Sequence, residues 1–248
     1  MDNPEPIETV LPPEPKITRI DRVQAVFEVL LISGMLSSVL ASLPFAFYSG
    51  MPASFLAELR IMVRYILLET LLAILFLVLV LKAHRQKLRD LGFFSRQWLR
   101  EAAIGLSVIP VLFITNILLS LLFQHFFPRY FLERNPLADL IRTPEDLALF
   151  IGTVLIAGGI KEELQRAFIL RRFQVYLGGA WLGLLLWSVL FGLGHSAQGV
   201  QGMVAAAIFG LIFGILYLAR RNLIAPMVAH GIYDMLALLG YWFFAPHK

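Results

Sequence analysis

Apolar residues run along most of this chain in stretches about 20 residues long, each long enough to cross about 30 Å of hydrocarbon as a helix. The stretches are apolar on every side, and the period-two alternation of barrel strands is absent. The pattern therefore predicts an all-α polytopic transmembrane bundle. Its spans are about Val23–Phe47, Ile61–Leu81, Ala102–Phe123, Leu147–Leu170, Ala180–His195, Gly202–Leu218 and Leu223–Phe244, seven in all. Ser49-Gly50-Met51-Pro52 marks the turn after the first, and Pro110 interrupts the third. Thr143-Pro144-Glu145-Asp146 reads as a helix start, with Thr143 as N-cap, Pro144 at the first position and acids in the first turn. That fourth helix should continue through Arg171, Arg172 and Tyr176 and stop at Gly178-Gly179.

Polar stretches divide the chain. Residues 1–22, rich in proline and glutamate near the start, read as a disordered tail, without the pattern of a cleaved signal peptide. Residues 23–146 hold the first spans and connectors, and 147–244 form a second block that carries most of the unusual chemistry. Between the second and third spans Lys82, Arg85, Lys87, Arg89, Arg96 and Arg100 alternate with Phe93, Phe94, Trp98 and Leu99. That mixture suggests an interfacial amphipathic helix beside anionic headgroups. Residues 124–146 form a polar, aromatic connector. Arg64 and Glu69 lie inside the second span, five apart, and read best as an ion pair between packed helices.

Composition agrees. Of 248 residues 58% are hydrophobic and 15% charged, with mean hydropathy +0.76, outside the soluble globular range. The net charge of +4 is a topology signal before it is a nucleic-acid footprint, and no nucleic-acid partner is expected. Basic residues crowd the tail, the 82–100 loop and the pairs Arg171-Arg172 and Arg220-Arg221, which points to a cytoplasmic N-terminus in a cell (inner) membrane and an outer C-terminus. The chain has no cysteine, so disulfides, thiolate nucleophiles and Cys-ligated zinc are excluded.

One stretch breaks the apolar rule. Lys161, Glu162, Glu163 and Arg166 lie inside the fourth span, where each charge costs roughly 2.5–3.5 kcal/mol on insertion scales. Such charges need partners. Glu162 and Arg166 are i,i+4 and Glu163 and Arg166 are i,i+3, so the arginine can neutralise one carboxylate. Two further spans offer groups at helical spacing: Phe191 with His195, and His230 with Asp234. At about 1.5 Å per residue Glu162 and His195 both lie about 22 Å from the turn joining their helices, so they can meet at one level. His230 is only about 12 Å from Asn222 by the same rise, so the seventh helix must start deeper or tilt.

Each signal has a plainer explanation. His195 could be interfacial, His230 with Asp234 could simply join two helices, and Glu163 with Arg166 could be structural even at a working site. Taken together, with glycines at 158, 159, 192 and 194, they form a constellation. His84, His125 and His247 fall in loops or the tail and are expected to be solvated or interfacial.

Glu-Glu-x-x-Arg, Phe-x-x-x-His and His-x-x-x-Asp, in that order on successive spans over about Leu147–Tyr241, resemble the CPBP family of intramembrane endopeptidases, which includes the type II CAAX prenyl proteases. The resemblance implies hydrolysis of a membrane-associated protein or peptide, prenylated CAAX-type substrates included. It further implies that Glu162 and His195 activate water, that His230 and Asp234 serve the oxyanion or a metal, and that Glu163 and Arg166 support them. The family's usual motif has three residues before the arginine and this chain has two. Alignment on Arg166 would put Lys161 and Glu162 at the two glutamates; alignment on the glutamates, the register adopted, puts Ala167 at the arginine.

The chemistry is sound on residue types alone. Glu162 can take a proton from water, His195 can orient it, and His230 can donate to the oxyanion while Asp234 holds its tautomer. Glu162, His195 and His230 are also acceptable ligands for a divalent metal such as zinc, although no His-Glu-x-x-His element is present. Two alternatives stand beside proteolysis: a non-proteolytic immunity or scaffold protein of the same family, and a proton-coupled transporter, against which the lack of an inverted repeat argues.

Overall fold

The computed structural model describes residues 17–46 and 58–244. Most of the expected tail, the Ser49-Gly50-Met51-Pro52 turn and His247 lie outside the described residues. Within them the chain is an all-α membrane bundle.

The first expected span is two helices, α1 (Arg19–Ile32) and α2 (Met35–Ala46). Helix α1 starts inside the expected tail because Thr18 and Asp21 form a capping box, each side chain binding the other's backbone N–H. The break follows from Gly34, whose φ of +93° no α-helix accommodates. Pro44 lies inside α2.

Helix α3 (Leu59–Ala83) buries one stripe, Met62, Val63, Glu69, Thr70, Ala73, Leu77 and Leu81, and exposes Leu67, Leu71, Leu75 and Leu79. That is the signature of a helix with one face on protein and the other on lipid. The basic, aromatic stretch that follows is shorter than expected as a helix: a 3₁₀ turn over Leu88–Leu91, ended by Gly92 at φ +85°. Helix α4 (Trp98–Phe126) then runs on through Pro110, and two more 3₁₀ turns carry the connector to residue 143.

The central element comes next. Helix α5 (Pro144–Val154) starts as its sequence dictates, with the Thr143 hydroxyl accepting from Asp146 N–H at 3.2 Å. It passes without interruption into a π-helical segment (Leu155–Glu162) and then α6 (Glu163–Tyr176). Every residue from Glu163 to Leu170 is buried, so α6 is the axis of the bundle. Helices α7 (Ala180–Gly194), α8 (Gly199–Arg220) and α9 (Ile224–Phe244) complete the chain. Helix α7 packs on α8, and α9 lies between α4 and the π segment.

Among the described residues five helical stretches are long and apolar enough to cross a membrane. These correspond to five of the seven expected spans, and the other two differ in character. The 144–176 element carries the buried charges, and α7 has only 15 residues.

Three ionisable groups, Arg64, Glu69 and His84, also differ from expectation. Arg64 is exposed, and Glu69 turns to Lys161 rather than to Arg64. His84 is half-buried and bonds Glu28 at 2.5 Å, where Arg172 and Gln24 also converge. Arg172, expected on the continuation of the fourth helix, is 2% exposed. A carboxylate on α1 stabilises these groups at the joint ends of α1, α3 and α6. His125, in the last turn of α4, is exposed as expected.

Candidate active site

The site is built on the π segment. A π turn inserts an extra residue into a helix and is found mostly at functional positions. Here Gly158 and Gly159 let α9 approach the widened turn. A Cβ on Gly159 would stand 3.2 Å from the Cα of Gly231. One on Gly158 would stand 2.9 Å from Asp234 Oδ2 and 3.2 Å from His230 Nε2. The paired glycines thus make room for the polar side chains of α9.

His230 is held from several sides. Its Nδ1 donates to Glu163 Oε1 at 2.8 Å, and Phe213 stacks on its ring, centroids 4.5 Å apart and planes 18° from parallel. Its Nε2 faces Asp234 Oδ2 at 3.5 Å and Glu162 Oε2 at 3.9 Å. With Nδ1 committed as donor, Nε2 can sit between two carboxylates only if a proton lies on it or on one of them. The residue that fixes the orientation of His230 is therefore Glu163, not Asp234 as the sequence suggests. The i,i+4 spacing of His230 and Asp234 points to the longer contact, whereas the shorter one joins residues 67 apart in sequence.

Glu163 also accepts from Arg166 Nη1, and both side chains are fully buried. The guanidinium lies 5.0 Å from the centre of the Phe191 ring and 5.5 Å from that of Phe213. Among the described residues its Nε and Nη2 have no hydrogen-bond partner, and the two aromatic faces are their surroundings. Arg166 thus serves Glu163 and leaves Glu162 to other groups.

Glu162 Oε1 lies 3.5 Å from Lys161 Nζ, and its Oε2 faces His230 Nε2 at 3.9 Å. His195 caps the end of α7, with Nδ1 2.7 Å from the Phe191 carbonyl, which fixes the proton on Nδ1 and leaves Nε2 as the free nitrogen. Its ring is 4.5 Å from that of Phe191. Helix α9 can deliver His230 to this level because it starts inside the protein: Asn222 and Leu223 are buried, and Leu223 N–H donates to the Gly92 carbonyl at 2.9 Å.

Glu162, His195, His230 and Asp234 line one cavity of about 940 Å³, while Glu163 and Arg166 lie behind its wall. Lys161, Glu69 and Phe213 also line it, and none of the three reads as a site residue in sequence. Lys161 is one of the four charges of the fourth span, but its partner comes from a helix far away in sequence. Phe213 is one apolar residue among many. Among the described residues no three His, Asp or Glu side chains are grouped as a metal site.

Residues 143–236 match the family model described as type II CAAX prenyl endopeptidase Rce1-like. Over that segment, well under half of the chain, the protein is similar to the type II CAAX prenyl endopeptidases. The segment contains all three motifs and the whole π segment, and it ends just beyond Asp234. No curated protein and no solved structure matches the chain. The activity that this description names is that of an endopeptidase.

Proposed function

We propose that this protein is an intramembrane endopeptidase in which Glu162 is the general base, with residues 147–244 as the catalytic core. The observation that carries this reading is the convergence of Glu162, His195, His230 and Asp234 on one cavity, from three separate elements. In this reading Glu162 takes a proton from water as the water oxygen bonds to the carbonyl carbon of the scissile peptide. The Nε2 of His195 orients that water. The oxyanion accepts from Nε2–H of His230, whose imidazolium form is stabilised by Glu163 and Asp234. As the C–N bond breaks, the proton on Glu162 passes to the departing amine, and the carboxylate is restored. Each step in this reading is carried by a side chain of the protein itself.

The substrate in this proposal is a membrane-associated protein or peptide, and a prenylated C-terminal segment suits an apolar cavity wall that includes Leu190, Phe209 and Leu238. The N-terminus is assigned to the cytoplasm of a cell membrane on the distribution of basic residues.

The test is cleavage of a fluorescence-quenched CAAX peptide, farnesylated or bare, by purified protein in proteoliposomes. Glu162→Ala and His195→Ala should each abolish turnover. Cleavage that survives in both would overturn the reading. Equal cleavage of the two peptides would remove the prenyl group from the specificity.

A further inference from the structure

The family-matched segment leaves out α1 to α4, yet α3 sends a carboxylate to the edge of the site. Glu69 Oε2 lies 3.0 Å from Lys161 Nζ, and the same ammonium lies 3.5 Å from Glu162 Oε1. Both members of the pair are enclosed, with side-chain exposures of 10% for Lys161 and 8% for Glu69. Glu69 is itself held: the Ser37 hydroxyl donates to its Oε1 at 2.8 Å, from α2 just beyond the Gly34 break. Gln165 Nε2 donates to the Ile32 carbonyl at 2.7 Å and fastens that break to α6.

We infer that Lys161 and Glu69 are positioning residues for Glu162, so that α3 completes the hydrolytic site. The inference rests on the proposed role of Glu162 as base. Adjacent residues on a helix do not face each other, so nothing in the sequence alone directs Lys161 toward Glu162. The π turn and the pull of Glu69 bring its ammonium there. The geometry is also graded. With Glu162 as its sole counter-ion, the ammonium would close on that carboxylate and occupy the lone pairs a base needs. Glu69 takes the shorter contact, so Lys161 steadies Glu162 from one side and leaves the other oxygen turned to His230.

The experiment compares purified variants in the proteoliposome peptide assay, with melting followed alongside. Glu69→Leu/Lys161→Met removes both charges together and leaves neither member of the pair buried without the other. It should melt near wild type yet lose kcat by about tenfold or more through misplacement of the base, with KM within about twofold. Glu69→Gln keeps the shape and an acceptor for Lys161, and should lower kcat in the same sense by letting the ammonium close on Glu162. Lys161→Arg should recover most of the activity lost in Lys161→Met. Wild-type kcat in the double variant, or in Glu69→Gln, would make the pair a structural tie and overturn the inference. Glu162→Gln runs beside them: activity there defeats the hydrolytic reading itself, whereas inactivity there with a fully active double variant defeats only the positioning role.

Discussion

His230 Nδ1 donates to Glu163 Oε1 at 2.8 Å, so the second glutamate of the Glu-Glu pair serves the histidine of the last helix. The two adjacent carboxylates consequently face different ways, Glu162 into the cavity and Glu163 behind its wall. Glu163→Gln keeps the volume but weakens the hold on an imidazolium. In a serine-protease triad, loss of the orienting carboxylate costs about 10⁴ in kcat. Here a loss of about 100-fold or more is expected, with KM little changed, in steady-state peptide kinetics.

Arg166→Lys keeps the charge and loses the flat guanidinium that lies against Phe191 and Phe213. A lysine cannot supply both the fork and the face. The expected result is a lower melting temperature in detergent together with at least about tenfold less activity, because Glu163 and His230 lose their support at once. Full activity in Arg166→Lys would reduce the arginine to a counter-charge.

Gly158→Ala puts a methyl 2.9 Å from Asp234 Oδ2 and 3.2 Å from His230 Nε2, and so displaces the polar face of α9. A displacement of about 1 Å can cost about 100-fold in rate, and activity should fall steeply in the peptide assay while the protein stays folded. Gly152→Ala is the contrast, since nothing lies within 4 Å of its added Cβ. It should leave activity alone and raise stability by about 0.5–1 kcal/mol.

Glu28→Leu leaves Arg172, 2% exposed, without its carboxylate. Breaking a buried pair on one side costs about 3–5 kcal/mol, so this variant should melt well below wild type. Glu28→Leu/Arg172→Met should recover most of the loss, as replacing both buried charges with apolar groups is often nearly neutral. Equal melting of the single and double variants would show that Arg172 finds another partner.

The site reads from sequence because charge inside an apolar run is expensive and stands out. Lys161, Glu162, Glu163 and Arg166 mark their helix at once, and His195, His230 and Asp234 follow at helical spacing. Helix starts with local chemistry are equally legible, as at Thr143. The rest depends on groups that meet only in three dimensions. Glu69 pairs with a lysine on the π segment instead of the arginine five residues away. His84 finds Glu28 across α1. The π turn leaves no mark in a pattern of apolar residues, since Leu155–Glu162 reads equally well as α-helix, yet it brings Lys161 and Glu162 to one place. The break at Gly34 is hidden in the same way, because Ser33-Gly34 sits inside an otherwise apolar run.

Helix α7 has 15 residues, about 22 Å at the usual rise, against about 30 Å of hydrocarbon. Its outer face, Trp181, Leu182, Leu185, Leu186, Val189, Leu190 and Leu193, is apolar and exposed. Lipid beside it has to thin to match, and the thinning falls where the helix ends, at His195. A polar peptide arriving from that side would cross less oil than beside a helix of full span, and water would reach the histidine by the same dip.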